Sequence, residues 1–172
     1  MERSRRKSNY HISFETFALQ PILDGATQST LVIERSEQFI VPKSSEQIVK
    51  KSCDYYGETF QNITNASRHI LGNRHKTPII IAHDFKTPFI LLPTMSPASS
   101  HNEWIALHAI ENIKPNKMGC LIYLENNKQI QVGVSATTIH RQYAYACFLH
   151  KDFIKKQESI NRKSLHFPYR GL

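Results

Sequence analysis

Apolar side chains in this chain come in short runs cut apart by proline, glycine and asparagine, and only one stretch sustains a helical period. Within residues 10–42, Ile12-Ser13-Phe14, Phe17-Ala18-Leu19, Leu31-Val32-Ile33 and Phe39-Ile40-Val41 are strand-type runs, with Asp24-Gly25 as a turn signal. Pro78-Ile79-Ile80-Ile81-Ala82 and Phe89-Ile90-Leu91-Leu92 are continuous apolar runs bounded by prolines, which predicts buried strands. A Pro/Ser loop spans residues 93–102. Residues 104–113 read as one strand, with Trp104, Ala106 and His108 on one side and Ile105, Leu107 and Ala109 on the other. Leu121-Ile122-Tyr123-Leu124 and Gln129-Ile130-Gln131-Val132 flank Glu125-Asn126-Asn127-Lys128, which predicts a hairpin.

Helical signals are fewer. Ser44 with Gln47 three residues later is a capping-box pattern that opens a short helix near 45–56, with Ile48 and Val49 inward and Gly57 as its stop. Residues 52–72 leave two readings open, irregular chain or a further short helix. Gly72-Asn73-Arg74-His75-Lys76-Thr77 is a polar, basic loop. The long helix near 136–158 starts beside a serine cap. At about 100° per residue, Ile139, Tyr143, Ala146, Cys147, His150, Phe153 and Ile154 share one face. Arg141, Lys151, Lys155 and Lys156 share the opposite face, and Tyr145 and Phe148 fall there too. The expected fold class is α+β, mainly antiparallel β-sheet with a short helix near 45–56 and a long C-terminal amphipathic helix near 136–158. The expected organisation is a flexible basic arm at 1–9, a single domain at 10–158 and a flexible tail at 159–172.

Charge narrows the partner class. The net charge of +8 is uneven: residues 8–60 carry −3, residues 61–90 carry +3 and residues 131–172 carry +5. Two separated basic zones plus a basic arm suit a polyanion, because phosphate neutralisation supplies most non-specific affinity. No apolar run reaches the roughly 18 residues of a membrane helix, so no membrane partner is implied. Met1-Glu2-Arg3-Ser4-Arg5-Arg6-Lys7 is followed by Ser8-Asn9-Tyr10-His11 rather than an apolar stretch, which argues against a secretory signal. Cys53, Cys120 and Cys147 are scattered, as expected of a reduced cytoplasmic protein. The nine histidines lack metal-type spacing, so no metal or other cofactor is expected. Enzyme motifs are missing too: there is no P-loop, no Gly-x-Ser-x-Gly and no clustered carboxylates for two-metal nuclease chemistry. Cys53 near His69 or His75 imitates a thiol nucleophile, but a buried structural cysteine is the commoner case.

A set of short motifs in fixed order goes further. Ser52-Cys53-x-x-Tyr56-Gly57, His75-Lys76-x-Pro78-Ile79, Leu92-Pro93-Thr94-x-Ser96, Trp104-Ile105 and Val134-Ser135 followed by Gln142 resemble the competence transcription factor family of Gram-positive bacteria, the ComK proteins. The similarity spans residues 39–156. It implies a DNA-binding activator of DNA-uptake genes, with no catalytic centre. Such a protein binds paired A·T-rich boxes of double-stranded DNA largely through the minor groove, as a dimer or tetramer, and works on RNA polymerase in the nucleoid. Two departures stand out. Asn102 sits where the family usually has a cysteine two residues before the tryptophan, and Gln61-Asn62-Ile63-Thr64-Asn65 replaces a basic stretch. A diverged paralogue acting as a protein-interaction partner or decoy is the second reading, and an enzyme acting on nucleic acid is a distant third.

Candidate contacts follow from the basic clusters. Arg74 and Lys76, beside the turn-forming Gly72-Asn73, suit a tip inserted into a narrow minor groove, with Arg68 in the same basic zone. Lys50 and Lys51 suit phosphate contacts, and Arg3, Arg5 and Arg6 a minor-groove arm. Arg141, Lys151 and Lys155 suit phosphate neutralisation from the long helix. Tyr145 and Phe148 on that face suit self-association, ahead of core packing or an intercalating wedge. Trp104, Tyr55 and Tyr56 are expected in or near the core. Finally, Ser164-Leu165-His166-Phe167-Pro168-Tyr169-Arg170 loosely resembles the tag by which relatives are handed by the adaptor MecA to the ClpC protease, on Phe167, Pro168 and Arg170.

Overall fold

The computed structural model describes residues 5–84 and 86–164. The chain runs through β1 (Thr16–Asp24), β2 (Thr27–Glu34), β3 (Gln38–Val41), α1 (Ser45–Tyr55), α2 (Phe60–Leu71), β4 (Ile79–His83) and β5 (Pro88–Pro93). It continues through β6 (Trp104–Ala106), a 3-10 turn (Leu107–Ala109), β7 (Ile110–Asn116), β8 (Gly119–Leu124), β9 (Gln129–Val132) and α3 (Ala136–Ser164). Six strands form one sheet in the order β3-β2-β1-β6-β5-β4, and three form a second in the order β7-β8-β9. Every neighbouring pair of strands is antiparallel. The α+β class is as expected.

Local chemistry explains most boundaries. Gly25 turns the β1–β2 hairpin at φ 62°, and Asn127 turns β8 into β9 at φ 63°. Ser44 and Gln47 form the full capping box at the start of α1. That helix ends as a Schellman turn, with Gly57 at φ 87° and the Glu58 N–H donating to the Cys53 carbonyl at 3.0 Å. The stretch left open between residues 52 and 72 completes α1 and then, after a turn, forms α2, whose cap Thr59 accepts from the Asn62 N–H at 3.1 Å. Gly119, the first residue of β8, must stay a glycine: φ is 134°, and a Cβ there would lie 2.2 Å from the Val132 carbonyl oxygen.

Three expectations need correction. Ile12-Ser13-Phe14 is not strand but a turn leading into β1, in which Ile12 is nonetheless fully buried. Side chains from α1 and its C-terminal cap replace the strand pairing: the Ile12 N–H donates to Ser52 Oγ at 3.0 Å and the Tyr56 hydroxyl donates to the Ile12 carbonyl at 2.7 Å. Residues 104–113 are not one strand. Trp104–Ala106 lies between β1 and β5 with every residue buried, so side alternation carries no signal there, and the 3-10 turn then carries the chain into the second sheet. His108 leaves the sheet and sits among Phe14, Phe17 and Phe89, with a ring nitrogen 3.0 Å from the Phe14 carbonyl. On α3, the buried stripe is Ala136, Ile139, Gln142, Ala146 and Leu149, while Cys147 is exposed. The helix packs on β5, β7, β8 and α2 together, which turns its inward face toward Gln142 and Leu149. It also runs to Ser164 rather than stopping near 158.

The core is continuous. Trp104, Phe17, Phe39 and Phe89 are its largest fully buried side chains, and β5 is buried along all six residues. That burial matches the uninterrupted apolar run from Phe89 to Leu92.

Candidate nucleic-acid interface

Helix α2 stops at Gly72, whose N–H returns to the Arg68 carbonyl at 2.8 Å with φ 85°. Two residues later the chain presents Arg74 to the flank of α3. Its Nε donates to the Leu71 carbonyl at 2.9 Å, its Nη1 donates to the Tyr145 hydroxyl at 2.6 Å, and its guanidinium lies 4.2 Å from the centre of the Tyr145 ring. An open groove of about 410 Å³ runs alongside. Its apolar lining is Ile70, Leu71 and Phe148, the last 62% exposed. Arg74, Lys151 and Lys155 supply its positive charge. Asp152 also lines it, but is bonded to Lys156 Nζ at 2.6 Å.

The spacing on α3 is that of one helical face: Arg141, Tyr145, Phe148, Asp152 and Lys155 recur every three or four residues. The structure therefore brings Arg74, Tyr145, Phe148, Lys151 and Lys155 to one groove, with Arg141 exposed one turn earlier on the same face. None of the ion pairs among the described residues involves Arg74, Arg141, Lys151 or Lys155. Arg68 and Lys76 are half-buried nearby in sequence. Arg68 Nε is buried without a hydrogen-bond partner, and the Lys76 carbonyl accepts from Gln142 Nε2 at 3.4 Å.

Other candidates lie elsewhere. Lys50 is bonded to Glu46 at 2.7 Å and lies 6.0 Å from the Phe60 ring, at the opposite end of α2 from Arg74. The twelve residues of α2 put roughly 18 Å between those ends. Lys51 is exposed on α1, close enough to Lys43 to depress that ammonium's pKa. Arg5 bonds Glu37 at 3.3 Å, and the backbone around Arg6 pairs in parallel with Ile40 on the edge of β3. Arg3, and Phe167, Pro168 and Arg170 of the tail, lie outside the described residues. Trp104 is buried as expected, whereas Tyr55 is 64% exposed and stacked on His11. Burial pushes the Cys53 thiol up to about 12, so it does not supply a thiolate at neutral pH. Among the described residues no three His, Cys, Asp or Glu side chains come close enough to hold a metal ion. No helix among them is long and apolar enough to cross a membrane.

Sequence reasoning missed Ile70 and Leu71, because α2 itself was undecided. Phe60, Ile63, Ile70 and Leu71 at helical spacing behind Thr59, with Gly72 as the stop, were the available signal.

The motifs around Ser52, Thr94 and Ser135, by contrast, hold the fold together. Ser52 and Tyr56 clamp Ile12. Thr94 and Glu103 exchange backbone contacts, with the Thr94 hydroxyl accepting from the Glu103 N–H at 3.0 Å. Asn102 fills the departing cysteine position by accepting from the Met95 N–H at 2.9 Å. Ser135 caps α3, accepting from the Thr138 N–H at 3.2 Å, and Gln142 ties that helix to the loop after α2.

Comparison with known proteins gives two matches. The sequence profile of the family described as ComK protein matches residues 7–158. The chain is also similar to the competence transcription factor of Bacillus subtilis (strain 168), at 24% identity over 147 residues that cover 84% of this chain and 75% of the relative. No solved structure matches the chain.

Proposed function

The chain belongs to the ComK protein family, and from that premise we propose that it is a transcription regulator of competence that acts by binding DNA. Its sites are paired A·T-rich boxes, entered largely through the minor groove by several protomers together. The reading rests on one observation: Arg74, Lys151 and Lys155 line a single exposed groove whose only carboxylate among the described residues is already bonded to Lys156. A narrow A·T minor groove concentrates negative potential and attracts a projecting arginine, while lysines on a neighbouring helix neutralise the flanking phosphates. RNA polymerase is the partner such an activator addresses, and the cytoplasm is where both would meet the nucleoid. The tail carrying Phe167, Pro168 and Arg170 is the proposed contact for MecA and ClpC.

The test is a titration of the full chain onto a duplex with paired A·T boxes and onto a G·C-scrambled duplex, at two salt concentrations. Cooperative, salt-sensitive binding that prefers the A·T boxes is expected. Arg74→Ala is expected to weaken binding to the A·T duplex by about tenfold and to shrink the preference for it. Its log–log salt slope should fall by about 0.9, the share of one phosphate. Equal, weak binding to both duplexes would sink the reading.

One observation favours the alternative of a diverged protein-interaction partner. Gln61, Asn62 and Asn65 are exposed and uncharged on α2, where the family resemblance leads one to expect a basic stretch. Complex formation with a DNA-binding relative, without DNA binding of its own, is the outcome that would select it.

A further inference from the structure

Resting on the reading of Arg74 as a DNA contact, we infer that Tyr145 is its positioning residue, holding the guanidinium in a fixed pose before DNA arrives. This gives Tyr145 a role within the protomer itself. The two residues are 71 apart in sequence, yet the Arg74 Nη1 donates to the Tyr145 hydroxyl at 2.6 Å and the guanidinium packs 4.2 Å from the ring centre. On the other side Nε donates to the Leu71 carbonyl at the C-terminal end of α2, where the helix dipole favours a cation.

Three restraints on one side chain are unusual for an exposed loop arginine. Such a side chain ordinarily samples many rotamers, and ordering it on binding weakens affinity. A guanidinium carries five N–H donors, and the two hydrogen bonds occupy two of them. Three remain for phosphate, sugar or base-edge acceptors. Tyr145 is half-buried with its hydroxyl and its ring both engaged by Arg74, whereas Phe148, one turn on, is 62% exposed and has no such engagement. Only Phe148 of the pair suits an open contact surface.

A double-mutant cycle on the full chain tests this, read by fluorescence anisotropy on the A·T duplex with thermal melting alongside. Tyr145→Phe keeps the ring beneath the guanidinium and removes only the hydroxyl acceptor. It is expected to weaken A·T binding about fivefold in the wild-type background and to cost nothing further on Arg74→Ala. The same loss in both backgrounds would mean that Tyr145 merely staples α3, and would overturn the inference. Arg74→Ala binding as well as wild type would overturn the DNA-contact reading itself, and the inference with it. Arginine Nε–H resonances supply a readout that needs neither DNA nor a stable variant. The Arg74 signal of the wild-type protein is expected to exchange slowly with solvent, and exchange as fast as that of a free arginine side chain would overturn the inference.

Discussion

Glu103 stands next to Trp104 where β6 begins, with its Oε1 accepting from Gln20 Nε2 at 2.6 Å. Burial raises its carboxyl above the usual carboxylate range, and the hydrogen bond from Gln20 pulls it partly back. The folded state therefore holds this proton more tightly than the unfolded chain does. Its contribution to stability is fully present below the unfolded value and is lost as pH rises through the folded one. Glu103→Gln keeps an acceptor for Gln20 and removes the half-buried charge. It is expected to melt higher than wild type at neutral pH, with the difference closing below about pH 4, where both side chains are neutral. A lower melting temperature at neutral pH would show that the carboxylate is needed as a charge. Nothing in the sequence distinguishes Glu103 from the exposed Glu111, because burial is set by the strands on either side of β6.

Helix α2 is the element on which the candidate groove depends, since its last turn supplies Ile70, Leu71 and the carbonyl that receives Arg74. Thr59 caps its other end. Thr59→Ala is expected to lower unfolding free energy by about 1 kcal/mol, and Thr59→Ser to leave it nearly unchanged. Urea denaturation measures both, and an alanine variant as stable as wild type would mean that the cap is dispensable. The contrast between α1 and α2 shows what makes an element legible. At the start of α1, Ser44 and Gln47 announce the helix by themselves. In α2 the exposed Asn62 and Asn65 are mediocre helix formers, and the inward Thr64 and Ser67 break the apolar stripe. Its stability then comes from packing against β4, α1 and α3, which no local pattern reveals. On α3 the period was plain but its phase was not, because four partners share the helix and pull Gln142 inward.

At the scale of the whole molecule, the large sheet has two edges. β3 is covered along part of its length by residues 5–7, and β4 forms the other edge. The most exposed aromatic ring off the sheets that borders the groove is Phe148. If protomers assemble through α3, Phe148→Ser is expected to shift the sedimentation-velocity distribution toward smaller species while melting stays within about 2 °C of wild type, as for an exposed position. An unchanged distribution would move the contact away from this helix. The sequence by itself determined the class of the fold, because caps, turn glycines and short apolar runs act over a few residues and carry their physics with them. It also marked Arg74, Lys151 and Lys155 among the candidate DNA contacts. Only the tertiary structure decided which of those groups share a surface. Arg74 meets Tyr145 and shares a groove with Lys151 and Lys155 because α2 packs on α3, and Lys50 lies at the far end of α2. Contacts between residues so distant in sequence are set by the packing of whole elements, and a linear pattern carries no record of that.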